Sequence, residues 1–582
     1  MSIRSRFRPT SLLPQWMRQY HGGLFAGDFS ASVIVALLLI PQGLAYAQLA
    51  GLPPMAGLYA SLGPLLVYGF FGSSMTQSVG PMAITSAMTA SALAPLALAG
   101  SREYLALAAT LTLLSGLMLT LFGKLKLGQM TRLLSLPVVQ GFSAGTALLI
   151  ALGQTGALLG AQWRGDTLIA LAQHVPAAVQ QLSAAPLLFG LFGLLAMWLS
   201  ASPAAGLLQK LGLAQNTAQL AGKVLPLLTM MVLAIALIWL DPAHQIKTLG
   251  KLPDAHFAIE HFNLDLVQMQ SLVLPALLIG LAGYLQSITV AQTIAASRHQ
   301  TIDANRELVA LGNCNVASAF LGGLPVSGGF SRTVVNTSAG AQTPLAGMMS
   351  AVWMLLALWL LLPALAFLPQ ALLAATIILA TSRMISFEQL RKAWQFDRRD
   401  GLAWIVTFTG VLLTGPMLGI ALGVGIAILL YVWRSHKPHI AVVGQVPHTE
   451  HYRNVERFQT QTVPTILAIR VDENLYFANT ANVIEQIKHQ LNIHAASGQI
   501  KHLLLILSAV NSIDYSAIND LKEWHKALAD AGITLHLAEV KGPVLETLMH
   551  GDLLEHLDRA PFISTHAAFT ALSPRQQEDY TI

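Results

Sequence analysis

From Ser30 to Ser101 the chain contains no Asp, Glu, Lys or Arg. One bilayer crossing takes about 20 apolar residues, so this run holds several crossings joined by very short turns. Lipid offers no partner for backbone N–H and C=O groups, which makes helices the spanning element expected here. A large soluble core can also be apolar, so overall composition enters as a check. Only 10% of the 582 residues are charged and 54% are hydrophobic, against about 25% charged in a typical soluble domain. These values exclude a disordered chain, a nucleic-acid binder and an ordinary cytosolic enzyme.

The net charge of +5 comes largely from loop Lys and Arg. A nucleic-acid surface needs basic residues clustered on one folded face, and no such cluster is evident. The single cysteine, Cys314, rules out a disulfide framework and a CxxC metal or redox site, and reads as a small buried residue. Arg4, Arg6, Arg8 and Arg18 precede the first apolar run without an A-x-A-like cleavage site, so a cleaved signal peptide is not expected.

Hydropathy places span centres near residues 40, 62, 87, 112, 145, 192, 231, 284, 314, 334, 354, 373, 408 and 424. Those near 87, 314 and 334 are short or glycine-rich. With a cytoplasmic N-terminus, the positive-inside rule asks for basic even-to-odd loops. Lys124, Lys126 and Arg132 fit, as do Lys210 and Lys223, Arg298 and Arg306, and then Arg383, Arg391, Lys392, Arg398 and Arg399. The opposite loops are nearly uncharged or balanced, as in Arg102/Glu103 and Arg164/Asp166, and one longer loop from Asp241 to about Gln270 is of mixed sign.

Composition shifts after Trp433, through a basic, proline-terminated stretch from Arg434 to Pro438. Thr465–Val471, Leu503–Leu507 and Ile533–Val540 read as strands, and Ala481–Gln490 and Ser516–Ala531 as amphipathic helices. Such alternation predicts a sheet covered by helices. The expected division is a cytoplasmic N-terminal segment (1–25), a transmembrane domain (26–434) and a cytoplasmic α/β domain (435–582).

Two short spans break the helix rules alike. Gln77-Ser-Val-Gly-Pro-Met-Ala-Ile-Thr85 and Leu324-Pro-Val-Ser-Gly-Gly-Phe-Ser-Arg-Thr333 each put Gly and Pro just before helix-compatible residues. Each predicts a short extended piece, then a helix that starts inside the membrane. Such backbone is tolerated only where protein buries it or it lines a cavity. A helix starting there aims free N–H groups and a positive dipole end at the cavity, which suits an anion. The breaks fall in spans three and ten, the third of each set of seven, and matching breaks point to an inverted-repeat transporter with a midplane site. The plainer reading is two kinks accommodated by packing. Arg332 lies one turn inside the second half-helix. It is either an electrostatic element for an anion or an interfacial arginine reaching a headgroup.

At these residues the chain resembles the sulfate permease (SulP) family, bacterial relatives of the solute carrier 26 anion transporters. The resemblance rests on Pro41-Gln-Gly-Leu-Ala-Tyr-Ala47, Ala50-Gly-Leu-Pro-Pro54, Gly57-Leu-Tyr-Ala-Ser61, Ser78-Val-Gly-Pro81, Asn305-Arg-Glu-Leu-Val-Ala-Leu-Gly312 and Gly328-Gly-Phe-Ser-Arg-Thr333. The C-terminal region resembles the STAS domain that follows the membrane part in that family. The resemblance implies an all-α polytopic membrane protein with 14 transmembrane segments in a 7+7 inverted repeat of core and gate domains, followed by a soluble α/β STAS domain. It also implies elevator-like movement and a homodimer. The anion would lie among Gln42 and Tyr46 of span one, Met82 and Ala83 of span three, and Phe330, Ser331 and Arg332 of span ten. Without the family, Gln42 and Tyr46 also read as helix–helix packing groups.

One position departs from the pattern. Many family members carry a glutamate in span eight for proton or cation coupling, and Gln286 stands there in Gly283-Tyr-Leu-Gln-Ser-Ile-Thr289. An amide can neither take up a proton at ordinary pH nor hold a cation by charge. Apart from Glu307 near a span end, no acid within the spans is expected to replace it. The expectation is uncoupled transport or exchange, insensitive to an imposed proton gradient. In the STAS part, Asn511-Ser-Ile-Asp-Tyr-Ser-Ala517 sits at a strand-to-helix loop. Ser516 there is a candidate phosphosite, with a helix N-cap at Asp514 or Ser516 as the alternative.

The expected function is secondary or facilitative anion transport in a bacterial inner membrane, with both termini cytoplasmic and sulfate as first substrate. Chloride, bicarbonate or a dicarboxylate is the alternative within the class. Outside it stands a membrane anion sensor signalling through STAS. No P-loop, nucleophile motif or metal-ligand cluster is evident, so no enzyme, cofactor or metal is expected. The expected partners are a small anion, the lipid bilayer, a second copy and a cytoplasmic partner of STAS.

Overall fold

The computed structural model describes residues 14–128, 135–161, 163, 165, 167–212, 214–240, 245–250, 262, 265–495 and 500–573. Arg4, Arg6, Arg8, Arg132, Arg164 and Asp166, and most of the mixed-charge loop after Asp241, lie outside these residues. The chain divides into two compact units, Met1–Ala427 and Ile428–Ile582.

Every predicted span centre falls inside a helix. In chain order these are α1 (Gly22–Leu49), α2 (Pro54–Phe71), α3 (Ala83–Leu93), α4 (Arg102–Lys124), α5 (Leu136–Leu159), α6 (Ala184–Ser200), α7 (Gln215–Leu240), α8 (Leu266–Ser297), α9 (Ala304–Phe320), α10 (Phe330–Ser338), α11 (Leu345–Leu365), α12 (Gln370–Ser382), α13 (Arg398–Thr414) and α14 (Pro416–His436). A four-residue helix at Gln15–Arg18 precedes them, and further helices at Leu168–Gln180, Ser202–Lys210 and Phe387–Phe396 lie between them. Among the described residues, 8 helical stretches are long and apolar enough to cross a membrane. Large apolar side chains stay uncovered on the helix surfaces, Leu188 of α6 at 67% and Trp359 of the shorter apolar α11 at 80% exposure, as lipid contact allows and water does not.

Small residues set how closely these helices pack. A Cβ on Gly57 of α2 would sit 1.8 Å from the Gly43 carbonyl oxygen of α1, so the two backbones touch there. Gly116 of α4 and Gly312 of α9 make a second such crossing, with 2.7 Å from the added Cβ to the Gly312 oxygen. With no hydrophobic drive between helices in lipid, close contact of this kind supplies the attraction. Side-chain caps fix several starts: Ser101 accepts from Tyr104 N–H, and Asp303 accepts from Asn305 and Arg306 N–H.

The two broken spans form a miniature sheet. β1 (Val79–Pro81) leads into α3, and β2 (Val326–Gly328) leads into α10. The strands pair antiparallel, with Val79 opposite Gly328 and Pro81 opposite Val326.

In the second unit, β3 (Ile440–Gln445), β4 (Tyr452–Asn454), β5 (Ile466–Val471), β6 (His502–Ile506) and β7 (Thr534–Ala538) form one sheet in the order β4-β3-β5-β6-β7. β5, β6 and β7 are parallel, and β3 is antiparallel to both its neighbours. The larger core, under α15 (Thr480–Ala495) and α16 (Tyr515–Asp530), lies on one face of the sheet. A smaller one with α18 (Thr565–Leu572) covers the other, while α17 (Gly542–His550) packs in the larger core. The three predicted strands and two predicted helices are present, with ends shifted by a few residues. β3 and β4 are additions. β3 starts two residues after Pro438, directly beyond the basic, proline-terminated stretch.

Candidate functional site

The antiparallel pairing decides the geometry of the half-helices. β1 runs into α3 and β2 runs the opposite way into α10, so both helix starts converge on the sheet. Neither start has a side-chain cap: Met82 is the N-cap of α3 and Gly329 that of α10. The first turn of a helix has no intrahelical acceptors for its N–H groups. Two positive dipole ends therefore face one region from opposite sides.

Each half-helix is pinned to the opposite limb. Thr85 of α3 donates its hydroxyl to the Pro325 carbonyl oxygen (3.2 Å), just before β2. Thr333 of α10 accepts from Ser78 N–H (3.2 Å), just before β1. Asn336 donates to the Thr76 carbonyl oxygen (2.8 Å). Gln77 bonds the hydroxyl of Ser287 in α8, and a Cβ on Gly328 would collide with that Gln77 amide at 1.8 Å. Glycine at 328 thus lets a side chain cross the strand.

Arg332 reaches from α10 across to the start of α3. Its Nη1 donates to the Pro81 carbonyl oxygen at 2.7 Å and to Gln42 Oε1 at 3.5 Å. The side chain is 3% exposed, and its Nε and Nη2 have no hydrogen-bond partner. Among the described residues no carboxylate pairs with it. A buried guanidinium with unspent N–H groups costs several kcal/mol unless something anionic or polar meets it.

The remaining predicted residues divide as follows. Gln42 touches Arg332, and the Tyr46 side chain, 6% exposed, lies within its electrostatic reach. Met82 caps α3 and Ala83 is its buried first residue. Phe330 (58% exposed) and Ser331 lie on the open side of α10. Gln286 stands on α8 beside Ser287. Both its amide atoms are buried without a partner, and no hydrogen bond joins it to Arg332. Ser516 is exposed in the first turn of α16; Asp514 is the N-cap there, accepting from Ala517 N–H (2.8 Å) and Phe477 N–H (2.9 Å). Among the described residues no group of three or more His, Cys, Asp or Glu could hold a metal ion.

Two features escape the sequence reading. Asp28, fully buried in the second turn of α1, is an acid inside a span, and it corrects the expectation that Glu307 stands alone. It accepts from Gln342 N–H (2.7 Å), Thr343 N–H (3.0 Å) and the Thr343 hydroxyl (2.6 Å). Gln77, Thr85 and Thr333 stand in the two breaks with no role read for them, and Asn336 lies just beyond. Their signal is a hydrogen-bonding side chain inside an apolar run beside a break.

The fold and this site define a polytopic helical membrane protein in which two half-helices converge on a buried cation. The sequence profile of the sulfate permease family matches residues 25–407, and that of the STAS domain matches residues 457–568. The chain belongs to the sulfate permease family. It is 31% identical over 560 residues to a probable sulfate transporter 4.2 of Arabidopsis thaliana, covering 94% of this chain and 81% of that protein. It is 30% identical over 550 residues to a probable sulfate transporter of Mycobacterium tuberculosis, covering 93% and 94%. The murine solute carrier 26 member A9 anion transporter, solved in its inward-facing state, superposes with a TM-score of 0.84 at 21% identity, over 97% of this chain and 95% of that one.

Proposed function

We propose that the protein is a secondary anion transporter with sulfate as its first substrate. The observation that carries this reading is Arg332: a buried guanidinium with two unpartnered nitrogens, set where two half-helix N-termini converge. The region is positive from three sources at once, which favours an anion and repels a cation. The relatives named as sulfate transporters support sulfate within that class.

In this reading the fourteen helices are fourteen crossings in a seven-plus-seven inverted repeat, ending near residue 434, with residues 435–582 as the cytoplasmic STAS domain. The protein works as a homodimer in a bacterial inner membrane, by elevator movement of a core carrying α3 and α10. Met82, Ala83, Phe330 and Ser331 offer backbone N–H groups, and Ser331 its hydroxyl. Arg332 supplies the field, Gln42 orients it, and Tyr46 and Phe330 shape the cavity. Gln286 leaves the span-eight position without a proton acceptor, so transport there is uncoupled or an exchange, and Ser516 is a regulatory position.

The test is labelled-sulfate uptake by the purified full chain in liposomes, competed with chloride, bicarbonate and dicarboxylates. Saturable uptake, unchanged by an imposed proton gradient, is expected. Absence of any anion flux, with ligand-dependent capture of a STAS partner, would replace transport by sensing.

A further inference from the structure

The block Asn305–Gly312 enters no step above, yet its helix touches both limbs of the site. α9 carries Glu307, Asn315 and Ser318, 1%, 1% and 0% exposed. Separations of eight and three residues put them along one face of a helix. Glu307 serves the β1 side. Its carboxylate accepts from Ser73 N–H (2.7 Å), the Ser73 hydroxyl (2.7 Å), Ser74 N–H (3.2 Å) and the Tyr68 hydroxyl (2.9 Å), and Tyr68 in turn meets Gln77 at 3.3 Å. Asn315 serves the β2 side. Its amide oxygen accepts from Val326 N–H (2.9 Å) and its nitrogen donates to the Val326 carbonyl oxygen (3.1 Å). Ser318 donates to the Leu324 carbonyl oxygen at 2.7 Å.

These bonds solve a problem that the two-stranded sheet creates. A strand edge inside a membrane needs a partner for every backbone group. On the edge of β2 turned away from β1, Asn315 takes the place of a third strand. Among the described residues no cation forms an ion pair with Glu307, and the neighbouring Arg306 donates instead to the Phe71 carbonyl oxygen (2.9 Å). The carboxylate is thus held by donors of the segment that delivers β1.

We propose that Glu307 and Asn315 are positioning residues of the anion site: the polar face of α9 is a ruler that fixes how far apart the N-termini of α3 and α10 stand. The inference rests on the proposed anion site for its effect on transport, but its geometry does not depend on that reading. The role requires an acceptor at 307, not a charge. A glutamine keeps an oxygen for Ser73 and Ser74 and turns its NH2 to the Tyr68 oxygen, whereas alanine leaves buried donors unpaired.

The test compares Glu307→Ala, Glu307→Gln, Asn315→Ala and Ser318→Ala in the full chain. Two readouts are taken: sulfate uptake kinetics in liposomes, and the distance between spin labels on Ala94→Cys and Ser338→Cys, at the far ends of α3 and α10 and so displaced when either half-helix moves as a unit, with Cys314 replaced by serine. Glu307→Ala and Asn315→Ala are expected to raise KM about tenfold with the maximal rate within about twofold, and to shift or broaden the label distance. Glu307→Gln restores both, and Ser318→Ala, the mildest change, raises KM about twofold if the alanine variants do not assemble. An unchanged label distance in all three truncations overturns the ruler. So does a Glu307→Gln variant as impaired as Glu307→Ala, which points to a titrating carboxylate. If the wild-type protein moves no sulfate, the transport reading fails and the label distances still decide this one.

Discussion

Two arginines show how differently the two units treat charge. In the C-terminal unit Arg470 is held by Asp472 through two bonds, at 2.5 and 3.0 Å, and His439 contacts the same carboxylate at 2.8 Å. Burial pushes the Asp472 carboxyl up, but the hydrogen bonds and charges of Arg470 and His439 outweigh it, and its pKa lies below the ordinary value. Arg332 is far more buried and has no carboxylate at all. A charge that serves the fold is neutralised on the spot. In the proposed reading, a charge left unneutralised at greater depth is kept for an anion that arrives later.

That contrast can be broken at Arg332 first. Arg332→Ala is expected to weaken sulfate affinity about 100-fold in liposome uptake, with little change in Tm, because most of the group's hydrogen bonds are unmade in the folded protein. A large fall in Tm with unchanged affinity would make it a structural charge like Arg470. Next, Gln286→Glu puts an acid beside the site. Uptake at neutral pH is expected to fall about tenfold and to recover on acidification as the carboxyl takes a proton. A flat pH profile would remove position 286 from the anion's field.

Asp472→Asn should do the opposite of Arg332→Ala. A loss of about 1–2 kcal/mol in the C-terminal unit is expected, read by chemical denaturation, with sulfate affinity unchanged. Because the Asp472 pKa is depressed on folding, its stabilisation is present above the ordinary carboxylate range and fades as pH falls through the folded value. His536 sharpens the same point. Burial, with His502 and Arg559 adding, pushes its imidazole down to about 4. The unfolded chain takes up that proton near 6.5, so stability should drop as pH falls from about 6.5 to about 4. Hydrogen exchange of the β6 and β7 amides in the full chain reads this, and His536→Phe should flatten it. Smallest of all, Lys392→Ala breaks the exposed Lys392–Glu388 pair at 2.7 Å and is expected to change Tm by less than about 1 °C.

The breaks were legible because Gly and Pro interrupt runs that are otherwise helix-forming, and Arg332 because a charge stands out in an apolar background. Family membership followed from several ordered blocks. The partners of those breaks were not legible. Gln77 and Ser287 lie 210 positions apart, and no local pattern ties them. Asp28 was hidden because hydropathy averages over a window centred deeper in α1. β4 has only three residues, and β3, though as long as β5, follows directly on a proline-terminated basic stretch; both lie at one side of the sheet, outside the strand–helix alternation that marks β5 to β7.

The pairing of β1 with β2 also bears on how the chain is made. Val79 finds Gly328 only after roughly 250 further residues have been synthesised. Until then the first break sits in the bilayer with strand edges that no later segment has yet covered. The early helices must therefore wait in a provisional arrangement, sheltered by lipid-exposed neighbours or by the insertion machinery. Chains truncated before α9 are expected to be recognised and degraded, whatever the quality of α1 to α8.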